Sequence, residues 1–60
     1  MLKFKAFCVE NNIRQREIAD VLGITVSRAN RKLNGKDPFT LEQVKTLCKT
    51  YSLSADIYFV

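Results

Sequence analysis

The sequence QREIADVLGITVSRANRKLNG, residues 15–35, predicts two short helices joined by a tight corner. The first helix is expected over residues 15–22, where apolar side chains recur every three or four positions. Gly23 forms the corner, because a left-handed backbone costs glycine little. The second helix is expected over residues 26–33, between the N-cap Thr25 and an Asn-Gly pair that ends it.

The second predicted helix has an apolar inner side and a basic outer side. Its inner positions are Ala29 and Leu33. Its outer positions are Val26, Ser27, Arg28, Asn30, Arg31 and Lys32. Residues 24–36 include four positive side chains and no negative one. A short basic helix held at an angle to another helix is how a small protein enters the major groove of DNA.

Length and composition restrict the class of protein. The 60 residues make one domain, residues 1–60, with no room for a second. A hydrophobic content of 47% excludes a disordered chain and suffices for one compact core. The net charge of +4 favours an anionic partner. With neither a signal peptide nor an apolar run that could cross a bilayer, we expect a cytoplasmic protein without a membrane partner.

The residue types of a catalytic or metal centre are absent or scattered. The sequence has no histidine, no glycine-rich phosphate loop and no legible pairing of a nucleophile with a base. Cys8 and Cys48 are far apart in the sequence, and we expect both thiols to be reduced and buried. The sequence therefore predicts no enzyme, no cofactor, no metal ion and no small-molecule substrate.

A helix is also predicted over residues 2–11, before the segment described above. Phe4, Phe7 and Cys8 form one apolar stripe along it. A second apolar stripe predicts that this helix is heavily buried or offers one side to a partner. The second stripe consists of Leu2, Ala6, Val9 and Ile13. The pair Asn11-Asn12 is expected to end the helix, since asparagine tolerates left-handed geometry.

A capping box formed by Thr40 and Gln43 predicts the start of a fourth helix, which continues to about Thr50. Ser54 is expected to cap one last short turn that reaches Ile57. The apolar positions of the fourth helix are Leu41, Val44, Leu47, Cys48 and Tyr51.

The C-terminal tail, Ile57-Tyr58-Phe59-Val60, is apolar or aromatic throughout. Such a tail either folds back onto the core or pairs with a second chain, and its residue types allow a short extended strand. We predict a dimer contact through Tyr58, Phe59 and Val60. Packing of the tail into its own core is the alternative.

Several motifs occur in register along the chain. Residues 15–35 have Gln15, then Ile18-Ala19, then Leu22-Gly23-Ile24-Thr25, and finally Asn34-Gly35. This pattern resembles the helix-turn-helix of the phage repressor and Cro type. Phe39-Thr40-Leu41-Glu42 and Ser54-Ala55-Asp56-Ile57 also resemble family positions. The resemblance covers about residues 4–58 and implies an all-α, lambda-repressor-like fold, a compact bundle of four or five helices.

The resemblance also implies roles for single residues. Positions that read bases would be Val26, Ser27, Arg28 and Arg31, and positions that contact phosphates would be Gln15, Arg16, Asn30, Lys32, Asn34 and Lys36. Some residues depart from the family pattern. Val26 replaces a common polar reader, so a contact there would be apolar. Arg14 replaces the small N-cap before the second helix, and Cys8 replaces a frequent basic residue.

The function that the resemblance implies is that of a sequence-specific DNA-binding transcriptional regulator. We expect a phage or prophage protein that occupies an operator in double-stranded DNA. One such module offers a small interface, so we expect a homodimer, at least on DNA. The alternative is a protein-interaction module of the same fold, an antirepressor or antitoxin that acts through another regulator.

Overall fold

A computed structural model describes residues 2–59, which form five helices and contain no strand. In chain order the helices are α1 (Lys3–Glu10), α2 (Gln15–Leu22), α3 (Val26–Leu33), α4 (Leu41–Tyr51) and α5 (Ala55–Tyr58). The all-α prediction is confirmed, and α2 and α3 have the predicted bounds. Within these residues, even the longest helix is too short for a membrane span.

Local sequence signals set most of the helix ends. The hydroxyl of Thr25 accepts a 3.2 Å hydrogen bond from a backbone N–H in the first turn of α3. Thr40 and Gln43 form the predicted capping box of α4, with bonds of 3.0 and 3.1 Å. Gly23 ends α2 with a φ of 68°, the left-handed geometry expected of it. Ser54 differs from its prediction, because its side chain makes no cap bond, and only its backbone carbonyl contributes by accepting hydrogen bonds from the N–H groups of Ile57 and Tyr58.

A small core lies between the helices. Helix α2 contacts both α3 and α4, while α5 contacts α1 and α4. Ala19 and Ala29 are buried, and their small side chains let the backbones of α2 and α3 approach each other closely. The predicted inner positions of α3 are therefore confirmed. The buried residues of the core are Phe4, Cys8, Ile18, Ala19, Ala29, Leu33 and Leu47.

The C-terminal tail packs against α1 of its own chain. The ring of Phe59 stacks on the fully buried ring of Phe4, with 4.9 Å between centroids. Tyr58 meets Phe7 edge-on at 5.5 Å. This is the alternative that the sequence left open, and the extended strand is wrong for residues 57–59, since α5 runs to Tyr58 and Phe59 is its C-cap. Val60, the last residue of the predicted dimer contact, lies outside the described residues.

Two apolar side chains of the stripes predicted from the sequence are exposed. Val9 is 70% exposed and Leu41 is 72% exposed. At about 100° per residue, Val9 lies about 140° around α1 from Phe4, so the second stripe of α1 does not face the core at this position. Leu41 is the first residue of α4 and lies about 120° around it from Leu47, which is the fully buried residue of that helix.

Candidate nucleic-acid interface

The first turn of α3 presents three of the predicted base-reading residues to solvent. Val26, Ser27 and Arg28 are exposed, while Ala29 behind them is buried. The cap bond from Thr25 fixes the backbone of this turn. Within residues 2–59 the guanidinium of Arg28 is in no ion pair or hydrogen bond, so its donors are available to another molecule.

Arg31, the fourth predicted base reader, is engaged by a carboxylate of its own chain. Its Nε donates to Oδ2 of Asp37 at 2.7 Å, and its Nη2 donates to Oδ1 of the same residue at 3.3 Å. Both side chains remain largely accessible, at 52% and 41% exposure. Asp37 has no part in the site that the sequence predicts. The sequence does contain a signal for this contact, an acidic residue two positions after the Asn-Gly pair that ends the basic helix.

The loop after α3, residues 34–40, brings Asp37 back to Arg31. Gly35 has a φ of 75° and reverses the chain direction. The carbonyl of Arg31 then accepts hydrogen bonds from the N–H groups of Lys36 at 2.9 Å and Asp37 at 3.4 Å. The backbone therefore places the aspartate beside the arginine before any side-chain contact is made.

The side chain of Lys32 also binds the loop after α3. Its ammonium donates to the carbonyl of Pro38 at 2.8 Å and lies 5.9 Å from the centroid of the Phe39 ring. Phe39 in turn meets the buried Phe4 edge-on at 6.0 Å. The sequence predicted a phosphate contact for Lys32, whereas here its side chain is half-buried and part of the loop structure.

The other predicted phosphate-contacting residues lie in α2, in α3 and in the loop after α3, and most of them are exposed. Gln15 and Arg16 lie in the first turn of α2, and Lys36 lies in the loop after α3. Asn34 donates to the carbonyl of the half-buried Asn30 at 2.9 Å. The amide oxygen of Asn34 also accepts a hydrogen bond from the ammonium of Lys5, which the sequence analysis did not place in the site.

Asp37 lies in a strongly positive environment. The hydrogen bond from Arg31 holds the pKa of Asp37 below its ordinary value, and the charges of Arg31, Lys32 and Arg28 act in the same direction. The same contact raises the pKa of Arg31. Arg28, Arg31 and Lys32 therefore lie around a single carboxylate on one side of the molecule, which leaves that side with a net positive charge.

A polar side-chain contact joins α2 to α4. The hydroxyl of Tyr51 in α4 donates to Oε2 of Glu17 in α2 at 2.6 Å. Burial raises the pKa of Tyr51, and this hydrogen bond adds to the effect. Burial also raises the pKa of Cys8 to about 11, with a smaller contribution from Glu17. The Cys8 thiol is therefore a packing group and a poor nucleophile at neutral pH.

Comparison with known families agrees with this geometry. A family model, the BetR domain, matches residues 3–60. No curated protein and no solved structure matches the chain. The BetR family contains small helical domains of the helix-turn-helix type from DNA-binding regulators and is not an enzyme family. The match does not single out phage repressors or Cro proteins. Since it extends over nearly the whole sequence, the chain belongs to the BetR domain family.

Proposed function

We propose that this chain is a sequence-specific transcriptional regulator that binds operator DNA by placing α3 in the major groove. The observation that carries the proposal is the first turn of α3, where Val26, Ser27 and Arg28 are exposed on a backbone fixed by the Thr25 cap. Burial of Ala29 and Leu33 holds the opposite side of the helix on the core. A rigid helix with exposed donors on its outer face is what reading of base edges requires.

Each base-reading residue has a distinct chemical role in this proposal. The guanidinium of Arg28 makes two parallel hydrogen bonds to O6 and N7 of a guanine. The exposed methyl groups of Val26 contact the methyl group of a thymine. Ser27 donates its hydroxyl to a base or a phosphate. Arg31 reads a second base with the donors that Asp37 does not use.

Phosphate contacts position the helix on the duplex. We assign this role to polar and basic side chains of α2, α3 and the loop after α3, most of which are exposed. Lys32 supplies charge at this surface while its ammonium stays bound to the loop. The assigned phosphate-contacting residues are Gln15, Arg16, Asn30, Asn34 and Lys36.

The protein acts as a homodimer on DNA in this proposal. Half-sites one helical turn apart have centres separated by about 34 Å. The longest extent of the chain is 25 Å, so two copies fit side by side on such a site. The proposed contact is the tail, through Val60 and the half-buried Tyr58 and Phe59, with the exposed Ile57 beside them. Sedimentation of an Ile57→Glu variant tests the contact, since a charge at the interface should dissociate the dimer.

Selection of bound sites from random DNA at a stated salt concentration tests the central proposal. An Arg28→Ala variant should then lose about 1–3 kcal/mol of discrimination at one base pair. Lys45→Ala is the matched control, because it removes an exposed positive charge from α4. Equal base preferences in the Arg28→Ala variant and the unsubstituted chain would overturn the role of Arg28.

The salt dependence provides a second readout. If about five phosphates are neutralised, the logarithm of the association constant falls with the logarithm of the salt concentration at a slope near −4.5. A flat response would refute DNA binding of this kind. Selected sites that are bound only in the presence of another regulator would instead support the alternative of a protein-interaction module.

A further inference from the structure

We propose that Asp37 is a positioning residue for base recognition. By holding the guanidinium of Arg31 along one edge, it presents the opposite edge to the paired acceptors O6 and N7 of a guanine. This inference rests on the proposed function, since it names a residue that acts behind the reading surface of α3.

The geometry of the pair leaves the recognition edge of Arg31 unoccupied. A guanidinium carries five N–H donors in a rigid plane. The carboxylate of Asp37 accepts one hydrogen bond from Nε, at 2.7 Å, and one from Nη2, at 3.3 Å. The remaining donors, on Nη1 and the other side of Nη2, have no partner within residues 2–59. They form the edge that makes two parallel hydrogen bonds to guanine.

Asp37 is itself held in place by contacts that do not involve its carboxylate. Its N–H and that of Lys36 donate to the Arg31 carbonyl, which fixes its backbone against the end of α3. The next residue, Pro38, accepts a hydrogen bond from Lys32 at 2.8 Å and restricts Asp37 to extended geometry. The loop therefore sets the position of the carboxylate, and the carboxylate sets the orientation of the guanidinium.

The exposure of the pair favours a role in recognition over a role in stability. Arg31 and Asp37 are 52% and 41% exposed, and ion pairs this accessible contribute little to folding. The ion pair already restricts the rotamers of Arg31 in the free protein, so this side chain loses less conformational entropy when DNA binds. A negative charge near the phosphate backbone weakens binding to every sequence equally, whereas an oriented Arg31 strengthens binding only where its base contact is made, so the pair as a whole favours specific over non-specific binding.

A double-mutant cycle on the selected DNA site tests this inference. Binding is measured for the unsubstituted chain, Asp37→Asn, Arg31→Ala and the double variant, each on the selected site and on its single-base-pair substitutions at one salt concentration. A bidentate base contact discriminates by about 5- to 150-fold. Asp37→Asn should reduce discrimination at one guanine about five-fold or more while leaving or raising affinity for random DNA. Asp56→Asn, which removes a carboxylate from α5, is the matched control.

The cycle separates a positioning role from a structural one. In the Arg31→Ala background, Asp37→Asn should have no effect on base preference, because the group on which Asp37 acts is gone. An effect of equal size in that background would show that Asp37 acts by shaping the loop, and would overturn the inference. Arg31→Lys, which keeps the charge without the planar donor edge, should lose discrimination as fully as Arg31→Ala.

Other outcomes are also decisive. Unchanged base preference in Asp37→Asn, or a gain in affinity that is uniform across all sequences, would show that Asp37 only competes with phosphates for Arg31. A uniform loss in Arg31→Lys or Arg31→Ala would place Arg31 on a phosphate. Each of these results overturns the inference but leaves operator binding through the first turn of α3 standing, and the last of them also removes Arg31 from the base-reading residues. An absence of any sequence preference in the unsubstituted chain would overturn both.

Discussion

Replacing Thr25 with alanine should weaken binding to the selected DNA site by up to about five-fold, although Thr25 is not among the proposed base-reading residues. Its hydroxyl accepts a 3.2 Å hydrogen bond from the N–H of Arg28. Alanine removes this bond and leaves the N–H of Arg28 without a protein partner. The turn that then frays more readily is the one that carries Val26, Ser27 and Arg28.

The size of the effect follows from the cost of losing an N-cap. Replacement of a capping threonine by alanine costs about 1 kcal/mol. If binding requires an intact first turn, a free energy of fraying that is lower by this amount raises the apparent Kd by up to about five-fold. The same loss should lower the Tm of a domain of this size by about 4–8 °C.

Thr40→Ala is the matched control, because its hydroxyl makes the same type of bond, at 3.1 Å, in the first turn of α4. Both variants should show a similar fall in Tm by circular dichroism. Only Thr25→Ala should raise the Kd that fluorescence anisotropy measures on the selected site, and Thr25→Ser should restore it. The reasoning fails if Thr40→Ala weakens binding as much as Thr25→Ala, or if Thr25→Ala lowers the Tm without changing the Kd.

Three further measurements test other parts of the structure. Lys36→Ala should reduce the steepness with which DNA affinity falls with salt by about 0.9, since it removes one proposed phosphate contact. Lys32→Ala should mainly lower the Tm, because its ammonium is bound within the loop before α4. In urea denaturation, Tyr51→Phe should lose about 1 kcal/mol, because its hydroxyl joins α4 to α2. Tyr58→Phe should lose nothing, since no hydrogen bond of its hydroxyl is present within residues 2–59. Burial raises the pKa of Cys8 from its ordinary value of 9.0 to about 11. The unfolded chain therefore releases this proton first, and stability should fall by about 2 kcal/mol between those values. A Cys8→Ala variant should lose less over the same range.

Helix positions could be predicted from the sequence because their signals are local. The bounds of α2 and α3 follow from an apolar period and from Gly23, Thr25 and the Asn34-Gly35 pair, all within a few residues of the ends they set. The capping box at Thr40 is equally local. Such signals depend on backbone hydrogen bonds that each segment makes for itself, so they survive without knowledge of the rest of the fold.

The contacts of Arg31 and Lys32 could not be predicted in the same way. Their partners, Asp37 and Pro38, lie in an irregular loop, and the loop returns to α3 because of a left-handed turn at Gly35. A count of charges identified the basic helix correctly, but it could not show which cations are bound to other groups of the same chain. Periodicity alone also could not decide which apolar stripe of α1 faces the core, because that choice depends on the helices that pack against it.

The ring of Phe4 joins parts of the chain that are distant in sequence. It touches Phe39 in the loop after α3 and Phe59 in the tail, and these two rings also meet each other edge-on at 5.6 Å. The loop that carries Asp37 thus packs in the same aromatic cluster as both ends of the described chain. We expect native-state hydrogen exchange to show a single cooperative opening for these segments, so that a perturbation at the tail reaches the loop after α3 through the loss of one aromatic stack.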